Sequence, residues 1–254
     1  MATLNEINFK IISVNVSTVE LGKKAFLIYS IKVSSEAKDP QPVVIKRRYT
    51  DFLVLFNSLK NDFPDLTESV QFPRKAIFGN FSKDVINERK EGFQKFLEVI
   101  GTTSQLRISP AVTNFMQYRE LSNAVKLIEQ NNLEQAVPLV ENCFWVMNKV
   151  QTARAPAVLR NLCLMVCLSN SVNSGYALNF ADLAVRRFQT VSDIDLLRYY
   201  VPLLNISLDL CQKYGKDSTE IAEYLVRLKR RGMALHNSTP LLQLIMQDIT
   251  PYYK

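Results

Sequence analysis

At Arg48 the apolar residues of this chain stop recurring every second position and begin recurring every third or fourth; the first pattern never returns. Before that point, Ile7, Phe9 and Ile11 alternate with polar residues, as a half-buried strand does. Val14 and Val16 then continue in phase with Ile12, a slip that predicts a bulge or sharp bend. Leu27, Tyr29, Ile31 and Val33 mark a second strand after a turn around Gly22. The polar, proline-bearing stretch 34–41 leads into a third strand over 42–48. Next, Phe52, Leu55, Phe56, Leu59 and Phe63 form one stripe of a helix starting after Tyr49, with Thr50 or Asp51 as candidate cap. Three strands without βαβ alternation predict an antiparallel sheet with its helices segregated to one side, an α+β domain.

Pro64 and Pro73 predict irregular backbone over 65–82, followed by an amphipathic helix over 83–100 with Ile86, Phe93, Phe96, Leu97 and Ile100 inward. A short helix over 110–118 closes the first half. Beyond Arg119 only helical patterns remain, over 121–130, 133–150, 154–171, 175–190, 194–214 and 218–231, separated by Asn-, Ser- and Gly-bearing breaks. Six helices on short turns make three antiparallel pairs, an arrangement used by tetratricopeptide-like scaffolds, although no clean repeat is visible. Ala177, Ala181 and Ala184 sit where helices approach, and the apolar patch 241–246 packs back onto the bundle. The expected division is 1–118 and 119–254.

Charge narrows the partner. The net charge is +7. Residues 1–118 hold 16 Lys and Arg against 12 Asp and Glu, the remainder 15 against 12, so both halves suit an anionic partner. No apolar run is long enough to span a bilayer, and the amino terminus does not read as a signal peptide. Cys143, Cys163, Cys167 and Cys211 lie on helical segments and read as reduced core thiols of a cytosolic protein. One histidine, His236, in a polar segment, leaves no metal-ligand set, and no cofactor is expected.

The segment with chemistry is Lys46-Arg47-Arg48-Tyr49-Thr50-Asp51-Phe52, at the strand-to-helix junction. A guanidinium matches phosphate oxygens with a planar fork of donors, and a tyrosine offers a flat face to a ring. Phe72-Pro73-Arg74-Lys75 follows in a constrained loop, and Arg89 lies one turn before Phe93 on the later helix. These motifs, with Gly79-Asn80-Phe81 and Phe93-Gln94-Lys95-Phe96-Leu97, resemble the phox-homology (PX) family over residues 5–118. More narrowly they resemble sorting nexins that append a helical, tetratricopeptide-like PX-associated domain.

The resemblance implies that Arg48 grips the 3-phosphate of phosphatidylinositol 3-phosphate and that Tyr49 packs on the inositol ring. It further implies that Lys75 meets the 1-phosphate and Arg89 the 4- and 5-hydroxyls. The family often has two prolines before its loop lysine; here Arg74 follows a single Pro73, which makes Arg74 a candidate for an added contact. Ile77, Phe78 and Phe81 are candidates for insertion among acyl chains. Other phosphoinositides are possible competitors.

The function implied is a peripheral adaptor on the cytosolic face of early endosomes, carrying a cargo or trafficking partner on its helical half. Alternatives remain. Arginines at a strand end are often solvated or ion-paired, Tyr49 could be core, and the run 227–231 suits a solvated helix end as well as a second membrane contact. A nucleic-acid binder would use the same charge, but the basic residues form a compact triad rather than a stripe. No phosphate loop, nucleophile elbow or metalloprotease motif supports an enzyme. A protein-interaction scaffold without lipid binding is the last alternative.

Overall fold

The computed structural model describes residues 6–17, 25–35, 39–76, 78–230 and 239–253. The expected turn around Gly22, Ile77, Arg231 and His236 lie outside the described residues. The described chain divides into two compact units, Met1–Gln117 with Trp145–Gln151, and Tyr118–Phe144 with Thr152–Lys254.

The first unit holds the strands β1 (Asn8–Ser17), β2 (Phe26–Ser34) and β3 (Val43–Arg48), in the antiparallel order β1-β2-β3. The register slips between Ile11 and Ser13, where the sequence predicts a bulge, and Ile12 is left 47% exposed. Beyond the slip, Val14 stands opposite Tyr29 and Val16 opposite Leu27. The extra residue thus returns the strand to the face it began on.

That face is covered by helices α1 (Tyr49–Asp62) and α3 (Lys83–Thr102), and the short α2 (Pro64–Thr67) packs on α1. Phe52 of α1 stacks on Phe93 of α3 at 3.9 Å between ring centroids, and Tyr29 meets both rings edge-on. Aromatic pairs in offset and edge-on geometry add about 0.5–1.5 kcal/mol each beyond the area they bury.

Two residues of α3 bind it to β1. Gly101 lets the backbones touch: the Ile7 N–H donates to the Gly101 carbonyl at 3.1 Å, and a Cβ at position 101 would lie 2.2 Å from the Ile7 carbonyl oxygen. Gln94 acts as a substitute for a neighbouring strand at the sheet edge. Its side-chain oxygen accepts from the Ile11 N–H at 3.0 Å, and its amide donates to the Phe9 carbonyl at 2.8 Å.

The remaining helices are α4 (Ser104–Arg107), α5 (Pro110–Glu129), α6 (Leu133–Val150), α7 (Pro156–Ser171), α8 (Ala177–Phe188), α9 (Ile194–Leu197), α10 (Tyr200–Lys213), α11 (Thr219–Arg230) and α12 (Leu241–Tyr253). Two expectations are corrected. The helices expected over 110–118 and 121–130 are the single helix α5. No Gly or Pro interrupts Tyr118-Arg119-Glu120-Leu121, so nothing stops propagation there. Conversely, the helix expected over 194–214 breaks into α9 and α10. Pro202 has no N–H to donate to the carbonyl four residues before it, and it stands in the first turn of α10, where no such bond is needed.

In the second unit α7 is buried along most of its length and meets α8, α10 and α12. Ala177, Ala181 and Ala184 are buried, as expected of small residues at a helix contact. The tail helix α12 packs on α7 and buries Leu241, Ile245, Ile249 and Tyr253, and the Asp248 carboxylate accepts a hydrogen bond from the Tyr199 hydroxyl while pairing with Arg198. The four cysteines are free and buried, and burial pushes the Cys167 thiol up to about 12. No helix among the described residues is long and apolar enough to cross a membrane.

Candidate functional site

Strand alternation gives the two arginines of β3 different surroundings. Arg47 points to the covered face and is 1% exposed. Its Nε donates to the Phe115 carbonyl, its Nη1 to the Lys46 carbonyl at 2.8 Å, and its guanidinium lies 5.6 Å from the Phe115 ring. Arg48 ends the strand and is the N-cap of α1, in extended conformation. Its backbone N–H donates to the Asp51 carboxylate at 2.7 Å, the reciprocal half of a capping box. The Arg48 guanidinium lies 4.7 Å from the Phe26 ring centroid, with Nε buried and without a hydrogen-bond partner.

Tyr49, the first residue of α1, serves both the core and the site. Its ring packs against Phe72 and Phe93, and its hydroxyl donates to the Pro73 carbonyl at 2.9 Å. This bond ties the loop that carries Lys75 to the start of α1. Arg89 reaches from α3 to the Tyr49 ring, with Cζ 4.4 Å from the centroid. Arg89 is 4% exposed; its Nη2 donates to the Asn80 side-chain oxygen at 2.8 Å, and its Nε is buried without a partner. Burial raises the pKa of both Tyr29 and Tyr49, and the positive charge of Arg89 partly opposes the rise.

Arg48, Tyr49, Lys75 and Arg89 line one cleft of about 250 Å³, together with Ala25, Phe26, Leu27, Thr50, Asn80 and Phe81. Three cations and the Tyr49 ring therefore share a concavity with no acidic residue among its described wall residues. Leaving cations unpaired in a half-buried cleft is costly unless a ligand supplies the counter-charge. The chemistry that fits is a phosphorylated ring: phosphate oxygens for the guanidinium and ammonium groups, and a flat body for Tyr49.

Not every expected residue joins. Arg74 is exposed and is not in the cleft wall. Phe78 is 87% exposed and is not in the cleft wall, whereas Phe81, 49% exposed, is part of it. In the run at the end of α11, Arg227 lies 4.6 Å from the Tyr224 ring and 3.8 Å from the Glu223 carboxylate, as a solvated helix end does. Sequence reasoning left Phe26 and Asn80 without a role. Asn80 sits within the quoted Gly79-Asn80-Phe81, but its bond to Arg89 spans nine residues; Phe26 reaches Arg48 only through the pairing of β2 with β3.

The family described as PX domain matches residues 36–119. Sorting nexin-20 of Bos taurus is 29% identical over 242 residues, covering 94% of this chain and 75% of that protein. Sorting nexin-21 of Mus musculus is 25% identical over 244 residues, covering 95% of this chain and 66% of that protein. The X-ray structure of a designed CISK-PX domain covers 43% of this chain and 98% of its own, at 25% identity and a TM-score of 0.38. This chain carries a PX domain and is, over nearly its whole length, a relative of sorting nexin-20 and sorting nexin-21.

Proposed function

We propose that this chain is a non-enzymatic peripheral membrane adaptor, with residues 1–118 reading phosphatidylinositol 3-phosphate and residues 119–254 binding a protein partner. One observation carries the reading: Arg48, Lys75 and Arg89 converge with Tyr49 on a cleft that has no carboxylate among its described wall residues. In this assignment Arg48 binds the 3-phosphate, Tyr49 supports the ring, Lys75 binds the 1-phosphate and Arg89 meets the 4- and 5-hydroxyls. Exposed Phe78 and half-exposed Phe81 add apolar contact with the acyl region. Head group, apolar contact and diffuse positive charge each contribute modestly, and their sum recruits the protein reversibly. The destination is the cytosolic face of early endosomes, and the helical half presents a surface to a cargo or trafficking protein.

The test is flotation of the full chain with phosphatidylcholine vesicles, with and without phosphatidylinositol 3-phosphate, for wild type and Arg48→Ala. Lipid-dependent flotation of wild type, lost in the variant, is the expected result; equal flotation of both defeats the pocket assignment. Oligonucleotide at physiological salt is expected not to displace the protein from the vesicles.

A further inference from the structure

Arg89 is the most buried of the three cations in the cleft, and the groups identified around it are neutral. The Asn80 side-chain oxygen accepts from its Nη2, the Tyr49 ring lies under its guanidinium, and Tyr29, with its hydroxyl buried, is close enough to feel its charge. A buried guanidinium is ordinarily stabilised by a carboxylate, which binds it tightly and cancels its field. An amide oxygen does something different: it fixes the direction of the guanidinium and leaves the charge available to a ligand.

The backbone gives Asn80 the rigidity for such a task. Gly79 takes φ of +71°, a conformation that suits glycine, and its carbonyl accepts from the Ser82 N–H at 2.9 Å. Asn80 and Phe81 are the central residues of that turn, and Ser82 is the N-cap of α3, the helix on which Arg89 lies. Asn80 is therefore held at the start of the helix while its side chain reaches along the helix to Arg89.

We propose that Asn80 is a positioning residue for head-group binding: its neutral amide oxygen aims Arg89 into the cleft without neutralising it, so that the site keeps its full positive charge for an anionic ring. This inference rests on the lipid reading and deepens it. It makes the chemical neutrality of position 80, and not only its shape, a condition of affinity.

The consequence is an opposite-sign effect that a merely structural role does not produce. Asn80→Asp is nearly isosteric but pairs with Arg89 as an ion pair. The unliganded full chain is then expected to unfold at the same temperature as wild type or higher, while affinity for soluble dibutanoyl phosphatidylinositol 3-phosphate falls about tenfold. Asn80→Ala loses the bond without adding charge, and both its unfolding temperature and its affinity are expected to fall. Titration calorimetry and thermal circular dichroism read the two quantities separately. If Asn80→Asp binds the soluble lipid as wild type does, or loses stability and affinity together, the positioning role is overturned and the lipid reading stands. If wild type itself fails to bind the soluble lipid, the lipid reading falls, and this inference with it.

Discussion

Pro73 occupies the space that a side chain at position 92 would need: a Cβ on Gly92 would lie 2.4 Å from Pro73 Cγ and 2.9 Å from its Cδ. The same proline accepts the Tyr49 hydroxyl bond through its carbonyl. One loop residue is thus clamped between α1 and α3, two positions before Lys75. Gly92 also lies three residues after Arg89, close to the same face of α3.

Gly92→Ala is expected to push the Pro73 loop outward, because a proline ring cannot rotate out of the way. Overpacking of this kind costs roughly 1–3 kcal/mol. Lipid-dependent flotation should weaken while the far-ultraviolet circular dichroism stays helical. A variant that floats as wild type does would show that Lys75 does not depend on this clamp.

The neighbouring arginines should separate function from stability. Arg48→Ala removes a cleft cation whose one described contact is the Phe26 ring, worth about 0.5–1 kcal/mol at a partly exposed site. It should therefore unfold within a few degrees of wild type and bind lipid poorly. Arg47→Ala removes a buried side chain with two carbonyl bonds and should cost about 2–4 kcal/mol. Urea unfolding of both variants checks the contrast.

Gln94→Leu keeps the bulk of the side chain and removes both bonds to β1. The Ile11 N–H and the Phe9 carbonyl at the sheet edge then lose their partners, at a cost of about 1–3 kcal/mol. Hydrogen exchange at the Ile11 amide should accelerate more than at amides in the middle of β2.

Acid should act on the first unit through Asp39. Its carboxylate pairs with Lys149 at 2.7 Å and accepts from the backbone N–H groups of Ser35 and Gln41. The Lys149 hydrogen bond leads the effects that hold its pKa at about 2, below its ordinary value of 3.8. A lowered folded-state pKa means that the contribution is complete above about pH 4 and is lost as pH falls toward 2. Asp39→Asn should therefore lower the unfolding midpoint at neutral pH and flatten the dependence of stability on pH between about 4 and 2. An unchanged acid slope would contradict the pairing.

Much of this protein was already determined by its amino-acid order. The period-two runs through Tyr29 and Ile31, the slip after Ile11 and the stripe from Phe52 to Leu59 each follow from local alternation of apolar and polar groups, which needs no knowledge of distant residues. Arg48, Tyr49, Lys75 and Arg89 were recognisable because their motifs occur together in a familiar order. Helix ends were less legible: Pro202 splits one expected helix through a missing donor, and the stretch through Arg119 joins two through the lack of any breaker.

Only the tertiary structure showed what Arg47 does, because the Phe115 carbonyl that accepts from it lies 68 residues further along the chain. Only it brought Asn80 to Arg89, Gly92 to Pro73 and Phe26 to Arg48. These contacts join residues whose spacing along the chain carries no periodic signal: the first two exist only once α3 and the loop have closed over the sheet, and the third only once β2 pairs with β3. Local pattern settled which elements form; the meeting of Arg48 and Tyr49 with Lys75 and Arg89 in one cleft, with no acid among its described wall residues, required the packing of all of them.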